Sequence, residues 1–564
     1  MVKCTGCGAG MKFDPATQKL ICDYCDTKIY PKDAKVYKPA NGEVDITTQD
    51  TEDNSYELSE IEGEKVDITK SNQDFYEAMV FTCPDCGANI TSDFDTAVTF
   101  CSYCGNSVSL EGRLTRLKRP NRIIPFKKTF SEAAKKYSRH IKSSLFAPRW
   151  LTMDTTIDNF RGIYMPYWTY DYKLKSEIKI PARQSRRHGN YTYVDNYVFN
   201  SSYECDYEGL SYDASTGFSD RLSNAIAPFN IDEAEHFSEA YMAGFYADAG
   251  DVDQEAYYGS AMKLINSDIN RCALDRKELK IMTVDNKNVK HTAIEEEASE
   301  TLSYFPVWFL ANRYSNDKVS YAIVNGQTGE VAADIPISYP KFIIGTILMA
   351  IPIIFLLNFV VTMRPMMLLI VTIIFSIFSI LLASSQADAL YVRSNFFDDI
   401  GMQIKKFGNV QNLDIFKKTK VKDKTTKDII SVVMTIVYMA GFVALLGFGK
   451  YGDIIIVLMF IASVTRGAVL DGLNAKFEKK TIKTERIVIH QPLDDKLKYI
   501  IKPIISIVIA GLVLILDPTM DYWYYGGTIV AMLLTLLSFY DLVALHNKLS
   551  MRTPPQLKKE GGDM

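Results

Sequence analysis

Cys4-Thr-Gly-Cys7-Gly8 at the start of the chain and Cys83-Pro-Asp-Cys86-Gly87, 79 positions further on, are one knuckle written twice. Each is followed, after fourteen residues, by a second pair, Cys22 with Cys25 and Cys101 with Cys104. Each second pair encloses a tyrosine, Tyr24 or Tyr103, so the two units form an internal repeat. Two residues between cysteines let a tight turn aim both thiolates at one ion, and two such knuckles complete the tetrahedron that Zn2+ prefers. Glycine after the first knuckle can take positive φ without a Cβ clash, which leaves backbone amides facing the sulfurs. A unit of about 25 residues buries too little apolar surface to fold alone. Bound metal then supplies the difference, on the order of 10 kcal/mol.

The spacing therefore predicts two structural Zn2+ ions, one held by Cys4, Cys7, Cys22 and Cys25 and the other by Cys83, Cys86, Cys101 and Cys104. Four thiolates leave no coordination position for water, so neither site reads as catalytic. The rival, a disulfide framework, needs an oxidising compartment. Met1-Val2-Lys3 leads straight into the first knuckle with no apolar h-region, so a cytosolic N-terminus is expected. Cys205 and Cys272 lack a CxxC context and read as ordinary thiols.

Residues 43–77 hold twelve Asp or Glu against Lys65 and Lys70. Such a stretch repels itself and is expected to be an extended spacer. It also repels phosphate, and with a net charge of -4 for the 564 residues nucleic acid is not an expected partner.

From 113 to 341 the pattern is mixed, beginning with a helix announced by the capping box Thr129-x-x-Glu132 and halted before Pro148. Ile163-Tyr-Met-Pro-Tyr-Trp-Thr-Tyr-Asp-Tyr and Asn190-Tyr-Thr-Tyr-Val-Asp-Asn-Tyr-Val read as strands. A helical segment over 218–270 separates them from closing strands at Phe305-Pro-Val-Trp-Phe-Leu and Ser320-Tyr-Ala-Ile-Val, the latter before an Asn325-Gly326 turn. An α+β domain is expected, with the tyrosine stripes read as core and a ligand groove as the alternative. The acidic run Asp248, Asp251, Asp253, Glu255 does not match an EF-hand and reads as a solvated helix start. No GxxxxGK[ST] loop, G-x-S-x-G elbow or H-E-x-x-H motif occurs, and the six histidines are scattered. No enzyme activity is expected.

Residues 342–363 run for 22 positions without a charge and 366–386 for 21, each long enough to cross about 30 Å of hydrocarbon as a helix. Only Arg364-Pro365 separates them, which predicts a tight helical hairpin. Further crossings are expected at 429–449, 454–473, 500–516 and 523–545. The connection 387–428 holds nine Lys or Arg and 474–502 holds eight, whereas the opposite turns hold Arg364, Lys450 and none. By the positive-inside rule six crossings then put both termini and both long loops in the cytoplasm. Arg466 and Asp541 are charges toward the cytoplasmic ends of apolar runs and are read first as snorkelling to the interface, with a pair between the fourth and sixth crossings as the alternative.

The two cysteine units, Phe305-Pro-Val-Trp, Asn325-Gly-Gln-Thr-Gly-Glu-Val and the multi-span tail together resemble a family of bacterial membrane proteins with tandem transcription-factor-IIB-type zinc ribbons. Members often carry a label likening them to the primosomal replication-restart helicase, an activity that needs a nucleotide loop this chain lacks. Some relatives are similar to components accompanying phage-shock-type envelope-stress systems and SPFH-domain partners. The resemblance implies a scaffold in the cytoplasmic (inner) membrane that recruits a cytosolic protein. A transporter or channel with a regulatory ribbon domain is the alternative, and a homo-oligomer is left open.

The expected architecture is multidomain: zinc ribbon 1 (1–38), acidic linker (39–79), zinc ribbon 2 (80–112), cytoplasmic α+β domain (113–341), an all-α transmembrane bundle of about six helices (342–548) and a cytoplasmic tail (549–564).

Overall fold

In the computed structural model the two tyrosine-rich runs grow into one hairpin of unusual length, Arg161–His188 (β8) against Tyr191–Asp213 (β9), paired in register from Tyr167↔Asp213 to His188↔Tyr191. The structure describes residues 2–34, 75–84, 88–92, 101, 103–105, 112–188, 191–274, 279, 282–284, 290–315, 318–360, 365–395, 399–407 and 493–551. The described residues divide into two units, one within Met1–Ser144 and Arg149–Asp334, the other within Leu145–Pro148 and Ile335–Met551.

The first unit begins with a three-stranded antiparallel sheet, Lys12–Asp14 (β1), Lys19–Ile21 (β2) and Lys28–Ile29 (β3), that carries the first cysteine unit. The other twelve strands form one sheet. Phe75–Thr82 (β4) lies between Asn89–Ser92 (β5) and Gly112–Lys118 (β6), all three from the second cysteine unit and its flanks. Phe75 and Glu77, in the acidic stretch by sequence, thus already belong to a strand. β5 pairs with Tyr246–Asp248 (β11), and β11 runs parallel to the start of β8. On its other edge β8 pairs with Lys290–Ser315 (β13). Beyond β13 come Lys318–Asn325 (β14) with Val331–Ala333 (β15), and Arg122–Ile123 (β7) with Glu235–His236 (β10). Thr283–Val284 (β12) pairs with the distal part of β8. The second cysteine unit is therefore continuous with the central sheet.

Helix Phe130–Lys142 (α1) starts where its capping box requires: Thr129 Oγ1 accepts from Glu132 N at 3.3 Å, and Thr129 N donates to Glu132 Oε2 at 2.9 Å. The segment expected to be helical over 218–270 is not one helix. It yields Asp220–Ile226 (α2) and Glu255–Leu274 (α3), with β10, β11 and turns between them. Pro228 has no N–H to give a continuing helix, and Gly244 and Gly250 take φ of +85° and +71°, outside the helical region. Asp248, read from sequence as a solvated helix start, sits instead in β11 and is buried.

Along β8 the even-numbered residues Tyr172, Leu174, Ile178, Ile180 and Ala182 are buried, the alternation of a strand with one covered face. Ile265, Ile269 and Ala273 of α3 cover that face. Tyr164, Tyr167 and Tyr170 are buried as well, so the first tyrosine stripe is core, whereas Tyr191, Tyr193 and Tyr197 of the second stripe are exposed and correct the expectation for that run. The Asn325-Gly326 turn forms as expected: Asn325 Oδ1 accepts from Gln327 N and Thr328 N, at 2.8 and 2.9 Å, between β14 and β15.

The second unit contains Tyr339–Val360 (α4), Pro365–Ser394 (α5), Leu493–Leu516 (α6) and Asp521–Ser550 (α7). Three of these are long and apolar enough to cross a membrane, over Met366–Ser394, Lys496–Leu516 and Asp521–Ser550. They agree in place with the expected crossings at 366–386, 500–516 and 523–545, each extended at one or both ends. The expected crossings at 429–449 and 454–473 lie outside the described residues, as does Arg364.

Burial in this unit is inverted relative to a water-soluble protein. Ser376, Ser379, Ser506, Thr535 and Ser538 are buried where α5, α6 and α7 meet, while Val508, Leu512, Leu533 and Leu537 face outward. Lipid tails are as apolar as leucine, so helix association there rests on packing and interhelical hydrogen bonds. Both are present. A Cβ on Gly527 would stand 2.9 Å from Val513 Cγ2, and Ser376 Oγ lies 3.0 Å from Ser506 Oγ and 2.8 Å from Thr535 Oγ1.

Candidate metal centres

In the first cysteine unit the knuckle at Cys4 closes through Gly8 N–H to Cys4 O at 2.9 Å, with Gly8 at φ +75°, and Cys4 N–H donates to Ala9 O at 2.7 Å. The second knuckle repeats the pattern with Asp26 N–H to Cys22 O at 3.0 Å and Cys22 N–H to Thr27 O at 3.1 Å. Here Asp26 holds positive φ, at 54°. Its repeat partner is Gly105, at φ +70°, whose N–H reaches Cys101 O at 3.0 Å. Cys83 N–H to Ala88 O, at 2.9 Å, likewise reproduces Cys4 to Ala9. The sequence repeat is thus a repeat of backbone geometry.

The donor atoms converge. The four sulfurs of Cys4, Cys7, Cys22 and Cys25 lie within 4.8 Å of one another, as do those of Cys83, Cys101 and Cys104, and Cys86 lies outside the described residues. A tetrahedral ion with metal–sulfur bonds of about 2.3 Å needs sulfurs about 3.8 Å apart. Cys4–Cys25, Cys7–Cys22 and Cys83–Cys104 stand at 3.4, 3.4 and 3.7 Å, so both clusters lie close enough to coordinate a metal ion.

The local electrostatics favour the thiolate at Cys4 and Cys25 and oppose it at Cys7. Backbone N–H groups of Cys7 and Gly6 pull the Cys4 thiol down to about 6, and Gly6 N stands 3.3 Å from its sulfur. The Thr27 hydroxyl, 3.1 Å from Cys25 Sγ, lowers that thiol too. Against the Ala9 backbone N–H, which works the other way, the neighbouring Cys22 and Cys25 sulfurs push Cys7 up to about 12. A cation at the centre removes that mutual penalty.

The clusters differ in burial. Cys7 and Cys25 are exposed, whereas Cys83, Cys101 and Cys104 are buried within the main core of the central sheet, beside Ile90, Met165, Tyr167 and Phe309. Tyr103 is the tie. Its hydroxyl donates to Asp248 Oδ2, which also accepts from Ser215 Oγ at 2.9 Å, while Asp248 Oδ1 accepts from Gly250 N at 2.8 Å. Burial pushes the Asp248 carboxyl up to about 6 despite those donors. The repeated tyrosine was a sequence signal for this lock, but nothing in the sequence marked Asp248 or Ser215 as its partners. The first unit docks through Phe13, whose ring meets Tyr241 and Phe245 at 5.5 and 6.5 Å and whose N–H donates to Ala243 O at 2.9 Å. β5 of the second unit pairs with Ala247 and Asp248. Both cysteine units therefore grip one short stretch of the central domain, from Tyr241 to Asp248.

Cys205 is half-buried and Cys272 exposed, both apart from the two clusters. Of the two intramembrane charges singled out in the sequence, Arg466 lies outside the described residues, and Asp541 Oδ2 accepts from Lys502 Nζ at 2.6 Å. Lys502 sits one turn before Ser506 on α6, so its amine reaches α7 at the level of Asp541.

Fold and site define an integral membrane protein of mixed α/β and helical units with two cysteine clusters suited to a metal ion. Comparison with known proteins gives one point of reference. The chain is 27% identical over 316 residues to the uncharacterized protein YdjG of Bacillus subtilis (strain 168), an alignment covering 46% of this chain and 91% of that protein. No family model matches the chain. No solved structure matches it.

Proposed function

We propose that the chain is a non-enzymatic scaffold of the cytoplasmic membrane, with two zinc-ribbon units each closed around one structural Zn2+ and presented to a cytosolic protein partner in an envelope-stress response. The observation that carries this reading is the closed thiol set: four sulfurs within 4.8 Å of one another, at distances a tetrahedral ion spans. Such a site offers no open position to a substrate. In this reading Cys86 completes the second set, six helices cross the bilayer, and both termini lie in the cytoplasm, the compartment where thiolates stay reduced.

Metal analysis of the purified protein tests the first part, with two equivalents of zinc expected. Affinity capture of the tagged protein at native level, before and after membrane stress, tests the second. A specific cytosolic protein is expected in the eluate, and its absence under both conditions ends the scaffold reading.

A transporter or channel is the second reading, favoured by the hydroxyl layer of Ser376, Ser506 and Thr535 beside the Lys502–Asp541 pair. Against it, those hydroxyls satisfy one another across the helices. Solute flux in proteoliposomes that Asp541→Ala abolishes would establish this reading in place of the scaffold.

A further inference from the structure

A 28-residue strand such as β8, at about 3.3 Å per residue, is on the order of 90 Å long, far beyond what the core needs. Among the described residues, pairing on the β13 edge of β8 ends with β12 at Thr283↔Arg183, and the cover supplied by α3 ends near Ala182. Past that point β8 and β9 continue as an arm to His188↔Tyr191.

Both faces of the arm's end carry exposed apolar side chains among polar and basic ones. Cross-strand partners share a face, so Ala182↔Tyr197, Arg186↔Tyr193 and His188↔Tyr191 put three tyrosines on one side, while Pro181↔Val198 and Ser185↔Val194 put two valines on the other. Tyr191, Tyr193, Val194, Tyr197 and Val198 are 73%, 58%, 51%, 38% and 64% exposed. Solvent-facing residues of that size on both faces are not explained by packing among the described residues. Charge adds a direction: residues 179–199 carry Lys179, Arg183, Arg186 and Arg187 against Asp195 alone.

The geometry points to the tip of this arm as a second contact with lipid, an interfacial anchor for an anionic membrane surface, independent of the helices that cross the bilayer. Tyrosine has an apolar body and a polar end, the chemistry that settles at headgroup depth, and arginine adds attraction to anionic lipid. A ribbon lying in the interface can set side chains of both faces at the boundary between headgroups and acyl chains, whereas one docking on a protein surface needs one apolar face. A second copy fits less well. Among the described residues β9 pairs with β8 alone, but β9 carries five acids and no base, so self-pairing along that edge sets like charges together. The chain's own membrane-crossing helices keep a bilayer at high effective concentration.

The test places the photoreactive residue p-benzoylphenylalanine at Tyr193 in the full chain, reconstituted in nanodiscs of phosphatidylcholine with or without phosphatidylglycerol. After irradiation the tip peptide is expected to carry a phospholipid adduct by mass, severalfold more abundant with phosphatidylglycerol. Arg183→Glu with Arg186→Glu should cut that yield severalfold while the helix content stays unchanged. A chain-to-chain adduct would assign the tip to a second copy and overturn the inference. No adduct, or equal yield in the two lipids, would overturn it as well. These outcomes leave the scaffold reading untouched, since neither metal content nor partner capture depends on the tip.

Discussion

Tyr24 and Tyr103 hold the same place in the two knuckles, yet Tyr24 is 83% exposed and Tyr103 is buried with its hydroxyl on Asp248. A lost hydrogen bond to a buried carboxylate costs the desolvation of the group left behind. Tyr103→Phe is therefore expected to lower stability by about 1–3 kcal/mol in urea unfolding, and Tyr24→Phe to change it by less than about 0.5 kcal/mol. Equal effects would show that Tyr103 is not a lock. The same residue pair shows the reach of the sequence: the repeat announced both tyrosines, but which one is internal depends on β5 pairing with β11, a contact across more than 150 positions. The thiol sets were legible residue by residue, because ligand spacing within a turn is a local property.

Between elements, one ion pair of the second unit joins Lys502 of α6 to Asp541 of α7, half-buried among apolar helices. Removing either partner strands the other charge. Lys502→Met alone or Asp541→Leu alone is expected to destabilise the helices by about 1–3 kcal/mol, less than a fully buried pair because the ends are partly exposed. The double variant should recover most of that loss. Detergent-denaturant titration in mixed micelles would read this, and simple additivity of the two losses would show that the pair does not interact. Apolar runs revealed the helices, since every backbone group in a bilayer must be satisfied within its own segment. They did not reveal which charges meet, because helix rotation and neighbour choice depend on packing such as Gly527 against Val513. The clasp of Asn547 on Ile337, whose N–H donates at 2.7 Å and whose carbonyl accepts at 3.0 Å, was equally silent in the sequence.

For the whole molecule, the two clusters differ in what stands over them, one with exposed Cys7 and Cys25, the other sunk in the central core. A chelator is therefore expected to remove one metal equivalent well before the second. The central sheet should keep its thermal transition after the first loss and lose it after the second. Metal content and melting followed together would check this, and simultaneous loss of both ions would contradict it. By itself the sequence determined seven of the eight clustered cysteines, three membrane-crossing runs and the turn and cap residues, since each follows from chemistry within a few neighbouring positions. Only the tertiary structure decided that the second cysteine unit is part of the central sheet, that the region over 218–270 is broken, and that Asp541 meets Lys502. Those outcomes rest on contacts between residues far apart in the chain, where burial and pairing override what local pattern favours.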